Sequence, residues 1–145
     1  MDEEMMALAL AEAAKSGDDV PVGAVLARDG QVIACAHNER EASGGPLAHA
    51  EMLALHRAWQ RLGERRLRGC TLYVTLEPCP MCAGALVMAG VDRCVFGAYD
   101  PRQGCCGSVY DIPRDPAFFH RVACLGGVRE SECAALLRKF FQKKR

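Results

Sequence analysis

The chain of 145 residues has the length of one domain, and its 18 Lys and Arg balance 18 Asp and Glu. That length excludes two domains of ordinary size, and the balance excludes a protein held to an acidic or basic partner by bulk charge alone. Half of the residues are hydrophobic and 14 more are glycine, above the usual share for a soluble domain, a surplus that suits a buried oligomer interface.

Met1-Asp2-Glu3-Glu4 is acidic where a secretory signal would be basic, and 5–15, rich in Ala, Leu and Met, reads as a first helix stopped by Ser16-Gly17-Asp18-Asp19. The apolar runs 22–27 and 31–35, separated by Arg28-Asp29-Gly30, are expected to form an antiparallel hairpin. Ser43-Gly44-Gly45-Pro46 is the most flexible stretch in composition and leads into 48–62, where Met52, Leu55 and Trp59 recur at helical spacing. Then 71–76 reads as a strand, 80–89 as an Ala-rich helix and 93–98 as a strand, together a parallel crossover. A loop over 100–118, a short strand near 120–124 and a closing helix over 130–144 complete the chain. The longest uncharged apolar stretch, 79–91, is too short to span a bilayer. Interleaved helices and strands predict one α/β domain over 1–145, a three-layer α/β/α sandwich around a mixed, five-stranded sheet.

The nine cysteines lack the spacing of a disulfide framework, which points to a reducing, cytoplasmic setting. Cys79 and Cys82, three apart at a helix start, face the same way, and the helix dipole and unpaired amides there favour thiolates. Pro80 suits the first helical turn, where its missing N–H does no harm. His49 adds a neutral nitrogen ligand, completing a His/Cys/Cys set that leaves one tetrahedral position open, the mark of a catalytic zinc. Glu51, two residues from His49, can approach the same metal only at the opening turn of a helix, where its carboxylate would shuttle protons between water and substrate. A structural zinc would need a fourth ligand from Cys70, Cys94 or Cys105, none of which belongs to a second C-x-x-C pair. His37, His56 and His120 read as surface or packing residues, Cys35, Cys94, Cys124 and Cys133 as small buried hydrophobes, and Cys105-Cys106 carries no assigned chemistry.

His49-Ala50-Glu51 followed by Pro78-Cys79-Pro80-Met81-Cys82 resembles the zinc-dependent nucleoside and nucleobase deaminase family. Within that family, Val20-Pro21-Val22-Gly23-Ala24-Val25, Leu72-Tyr73-Val74-Thr75-Leu76-Glu77, Val95-Phe96-Gly97-Ala98, Gly107-Ser108 and Phe140-Phe141 are similar to the bacterial tRNA adenosine deaminases. The resemblance implies a cytidine deaminase-like fold, one Zn²⁺ per subunit on His49, Cys79 and Cys82, Glu51 as proton shuttle, and hydrolysis of adenosine to inosine in a tRNA anticodon loop. It further implies a homodimer, Asn38 and the Ala50 N–H on the base, and Asp100 near the RNA backbone. Phe141 is a candidate at the substrate mouth, with Lys143, Lys144 and Arg145 on the RNA backbone. For these tail residues the alternative is that Phe140 or Phe141 packs the last helix and the cations suit its C-terminus; for Asn38 it is an ordinary turn residue.

Phe119-His120 stands where Asn-His is usual, and Gly44-Gly45-Pro46-Leu47 where Asp-Pro-Thr is commoner. These departures bear on RNA or loop contacts and on the pocket mouth, leaving the chemistry untouched. Two rivals remain: a deaminase of free guanine or cytosine with the same zinc site, and a non-catalytic zinc-stabilised binding module in which Glu51 is an ordinary helix-start acid.

Overall fold

A computed structural model describes residues 1–144. Helix α1 (Asp2–Ala13) begins three residues earlier than the composition suggested, because Asp2, Glu3 and Glu4 complement the positive end of the helix dipole. A single 3₁₀ turn, Ala14–Ser16, ends it at Gly17. Strands β1 (Gly23–Arg28) and β2 (Gln31–His37) form the expected hairpin, with Asp29 and Gly30 both at positive φ in the turn. The Gly- and Pro-containing stretch is not open loop: Arg40–Gly44 forms one wide helical turn and Gly45–Leu47 a 3₁₀ turn, so the chain arrives coiled at helix α2 (Ala50–Leu62).

Strand β3 (Cys70–Leu76), helix α3 (Pro80–Ala89) and strand β4 (Arg93–Ala98) make the parallel crossover. The short strand β5 is Ala123–Leu125, a little beyond the expected 120–124, and helix α4 (Glu130–Lys143) closes the chain. The sheet order is β2-β1-β3-β4-β5, antiparallel across β2, β1 and β3 and parallel across β3, β4 and β5.

Side-chain alternation divides the strands between two cores. Ala24 and Leu26 of β1, Leu72 and Val74 of β3, and Cys94 and Phe96 of β4 pack with Ala54, Ala58, Ala83 and Leu86 of α2 and α3. Val25, Tyr73 and Val95 point the other way, onto Met5, Met6 and Ala9 of α1 and Cys133 of α4. The close fit on that face depends on Gly23, where a Cβ would lie 2.0 Å from the Ala9 carbonyl oxygen. The expected three-layer sandwich is therefore present. Its consequence for the site is that α2 and α3 lie side by side on one face, with α3 starting directly beyond the C-terminal end of β3.

Candidate active site

His49 is the N-cap of α2 and Cys79 the N-cap of α3, both in extended backbone, while Cys82 lies in the first turn of α3. Extended caps swing the two ligands away from their helix axes and toward each other across the paired helix starts. His49 Nδ1 is 3.6 Å from Cys79 Sγ and 3.6 Å from Cys82 Sγ, and the three donor atoms lie within 4.8 Å of one another. A tetrahedral zinc with ordinary bond lengths requires an N to S separation of about 3.6 Å. Among the described residues no other group of three His, Cys, Asp or Glu converges in this way. The donor set thus fits zinc and leaves the fourth position to water or substrate.

The four groups at this site differ sharply in their electrostatics. The Cys79 thiol is lowered to about 4, chiefly by the hydrogen bond from the Cys82 thiol and despite partial burial, with His49 assisting. Cys82, giving that hydrogen bond and buried, is pushed well above the ordinary thiol range. His49 is raised, first by its hydrogen bond with Cys79. Glu51, only 4% exposed, lies against Cys82 in the first turn of α2 and is raised to about 7 by burial. A carboxyl poised near neutrality takes up and gives back a proton at little cost, which is what acid/base work needs.

Asn38, at the end of β2, is buried and spans two segments. Its Nδ2 donates to the Val20 carbonyl at 2.9 Å, and its Oδ1 accepts the Ala50 N–H at 2.8 Å. The Ala50 N–H, expected to donate to a base, is therefore already engaged within the protein. Asp100 accepts the N–H groups of Arg102 and Gln103, forming a turn. It lines a groove of about 390 Å³ with Val20, Leu76, Tyr99 and Phe141, so the structure brings Asp100 and Phe141 together. Phe140 is half-buried and meets Phe141 edge-on at 5.3 Å, while Phe141 is 51% exposed. Lys143 and Lys144 are exposed, and Lys144 Nζ sits 5.4 Å over the Phe140 ring. Arg145 lies outside the described residues.

The remaining histidines stay away from the ligand set, as expected: His120 Nε2 is 2.7 Å from the Val91 carbonyl, His37 faces the Asn38 carbonyl, and His56 packs on Trp59. Cys94 and Cys133 are buried and Cys124 half-buried, but Cys35 is exposed, because it sits on the outer side of the edge strand β2. Cys105 and Cys106 are both buried, and no chemistry attaches to either. The unusual Phe119 is exposed beneath the Arg66 guanidinium, 4.8 Å from its ring centre.

Two carboxylates escaped the sequence reading. Asp19 is buried and accepts the Glu41 N–H on both oxygens, at 3.2 and 3.1 Å, tying down the coiled turn before His49. Glu77 is buried and accepts N–H groups from Asp100, Cys106 and Ser108. For Glu77 the only local signal is an acid wedged between the apolar β3 and Pro78. Its partners lie 23 to 31 residues away.

Residues 1–98 match the cytidine and deoxycytidylate deaminase zinc-binding region. The chain is 48% identical over 146 residues to the tRNA-specific adenosine deaminase of Bacillus subtilis, covering 99% of this chain and 91% of that one. It superposes with a TM-score of 0.88 and 43% identity on a structure from work on A-to-I editing by tRNA:A34 deaminases at the wobble position of transfer RNA, covering 92% of this chain and 99% of that one. A guanine deaminase from Nitrosomonas europaea is more distant, with a TM-score of 0.76 and 27% identity over 95% of this chain and 83% of that one. With its zinc donors at two helix starts and an acid buried against them, the chain belongs to the cytidine and deoxycytidylate deaminase zinc-binding family.

Proposed function

We propose that this chain is a zinc-dependent tRNA adenosine deaminase that hydrolyses adenosine to inosine at the wobble position, acting in the cytoplasm as a homodimer. The observation that carries the reading is near full-length identity of 48% to a tRNA-specific adenosine deaminase, against 27% to one guanine deaminase and 37% over only 67% of the chain to another, on a chain that keeps the His49, Cys79 and Cys82 set. Among the described residues no helix is long and apolar enough to cross a membrane.

His49, Cys79 and Cys82 would hold the zinc, which would supply Lewis acidity to activate water. Glu51 accepts a proton from the attacking water and passes it to the purine ring nitrogen as a hydroxyl forms on C6. It then takes the proton of the C6 hydroxyl and delivers it to the amino group, so that the C6–N bond breaks, ammonia leaves and the C6 carbonyl of inosine remains. Water and adenosine are consumed, inosine and ammonia are formed, and Glu51 ends as it began. Burial keeps the Glu51 proton exchange near neutral pH.

The second Nδ2 proton of Asn38, beyond the one given to Val20, is the donor offered to the base. Ala50 acts through Asn38, holding its Oδ1. Asp100 and Phe141 sit at the mouth, and Lys143, Lys144 and Arg145 hold the RNA backbone. A loop base costs less to extrude than a paired one, which suits an anticodon loop. For the homodimer, the support is the apolar outer surface of α2 and α3, where Met88 is 71% and Trp59 50% exposed beside Met52.

The test is ammonia release from an anticodon stem-loop, compared with free guanine, cytosine and adenosine. Turnover of the stem-loop at least tenfold above any free base or nucleoside is expected. Equal or faster turnover of guanine or cytosine would transfer the assignment to the rival deaminase, and a zinc-loaded protein inert on all of them would leave a binding module.

A further inference from the structure

The Glu77 carboxylate is 2% exposed and has no cationic partner among the described residues, yet it is saturated with donors. Oε1 accepts the Asp100 N–H at 3.0 Å and the Ser108 hydroxyl at 2.5 Å. Oε2 accepts the Cys106 N–H at 3.1 Å and the Ser108 N–H at 3.0 Å. A carboxylate offers acceptor sites for all four donors, whereas an amide would turn its own N–H groups toward some of them. Gly104 leaves the space for it: a Cβ there would lie 2.4 Å from Glu77 Cδ and 2.5 Å from the Asp100 carbonyl oxygen.

The same residue is bound to the zinc turn. The Glu77 N–H donates to the Ala98 carbonyl at 2.9 Å, the neighbouring Pro78 carbonyl accepts the Cys105 N–H at 2.8 Å, and Cys79 follows. One buried charge therefore fastens residues 100–108 to the turn that carries a zinc ligand. Asp100, whose own carboxylate closes the turn to Arg102 and Gln103, is held from both sides in the wall of the groove shared with Phe141. From this arrangement we infer that Glu77 is a positioning residue for the deaminase, setting Asp100 and the wall of the substrate mouth relative to the zinc ligands. The inference rests on the reading of Asp100 as a substrate contact.

A buried charge spent on four backbone and hydroxyl donors is a costly way to stabilise a core, and the same volume filled by an apolar side chain would serve stability as well. What the charge adds is a fixed geometry for one loop. Its loss should accordingly weaken substrate capture while leaving zinc binding in place.

The test combines Glu77→Gln, Ser108→Ala and Asp100→Ala in the zinc-loaded, full-length protein. Glu77→Gln should keep one zinc per chain and raise KM for an anticodon stem-loop about tenfold or more, with kcat altered by less than about threefold. In the Asp100→Ala background the same change should add less than about twofold, since it acts through that residue. Amide exchange at Asp100, Cys106 and Ser108 should accelerate, whereas that of Leu53 and Ala83 in α2 and α3 should not. An unchanged KM with normal exchange, or equal KM effects with and without Asp100, would overturn the inference. Should Glu77→Gln lose zinc or fail to fold, Ser108→Ala decides, with a KM rise of about threefold that vanishes beside Asp100→Ala expected and no change overturning. Exchange requires no substrate, so a wild-type protein that is inert on RNA but protected at these three amides would fault the functional assignment and spare the cradle.

Discussion

The Asn38 Oδ1 accepts the backbone N–H of Ala50 at 2.8 Å, and Ala50 stands between the zinc ligand His49 and the acid Glu51. The end of β2 is thereby latched to the first turn of α2, and the Asn38 Nδ2 extends the latch to Val20. Asn38→Ala leaves a buried N–H and a carbonyl without their partner, a cost of about 1–3 kcal/mol. Thermal unfolding should show a Tm lower by several degrees together with reduced turnover. Loss of turnover at unchanged Tm would mean that the amide serves the base and not the helix start.

Glu51→Gln separates metal binding from proton transfer. The variant should retain one zinc per chain by elemental analysis and lose activity by about 10² to 10⁴-fold, the range for removing a general acid/base. Loss of zinc along with activity would make Glu51 a ligand instead.

The same carboxyl has a pH signature in the metal-free protein. Folded Glu51 keeps its proton up to about pH 7, whereas the unfolded side chain ionises near the ordinary carboxyl value of 4.5. The folded state binds the extra proton between those values, so the contribution is complete below about pH 4.5 and is lost as pH rises through 7. By pH 8 the loss amounts to about 3 kcal/mol. Glu51→Gln should therefore raise the Tm of the metal-free chain at pH 8 and leave it unchanged near pH 4.5. Equal Tm values at both pH extremes would rule out the buried, protonated carboxyl.

Zinc binding should release protons. Cys79, at about 4, is already a thiolate at neutral pH, but Cys82 is raised and holds its proton, and His49 is raised as well. Both must shed protons to coordinate, so about one to two leave per zinc near pH 7 and affinity falls as pH is lowered. Calorimetry in two buffers of different ionisation enthalpy measures the number. Cys82→Ala should lose the tightly held zinc altogether.

The basic tail makes a separate contribution. If Lys143, Lys144 and Arg145 all meet phosphates, neutralising the three should flatten the salt dependence of stem-loop binding by about 2 in log–log slope. KM should rise with the zinc content unchanged. An unaltered slope would move the RNA surface elsewhere, with Arg65, Arg66 and Arg68 next to Glu64 the groove to try.

Helix α3 and strand β4 run over the residues their composition predicts, because an Ala-rich stretch opened by Pro80 and a short run of strand-favouring apolar residues are local signals. The His49, Cys79 and Cys82 set was equally legible, since ligand spacing and the preference of thiolates for helix starts are properties of short segments. Convergence was not. His49 and Cys79 are 30 residues apart and meet only because β3 delivers α3 beside α2 on one face of the sheet, with both caps extended. Glu77 and Asp19 look like ordinary acids in the chain, and the donors that define them come from segments brought up by the fold. Composition placed Cys35 in the core by its type, and the tertiary structure put it on the open side of an edge strand. The residue types able to carry the chemistry are thus written locally. Which of them meet, and which buried charges hold the loops around them, follows from long-range packing that no local pattern encodes.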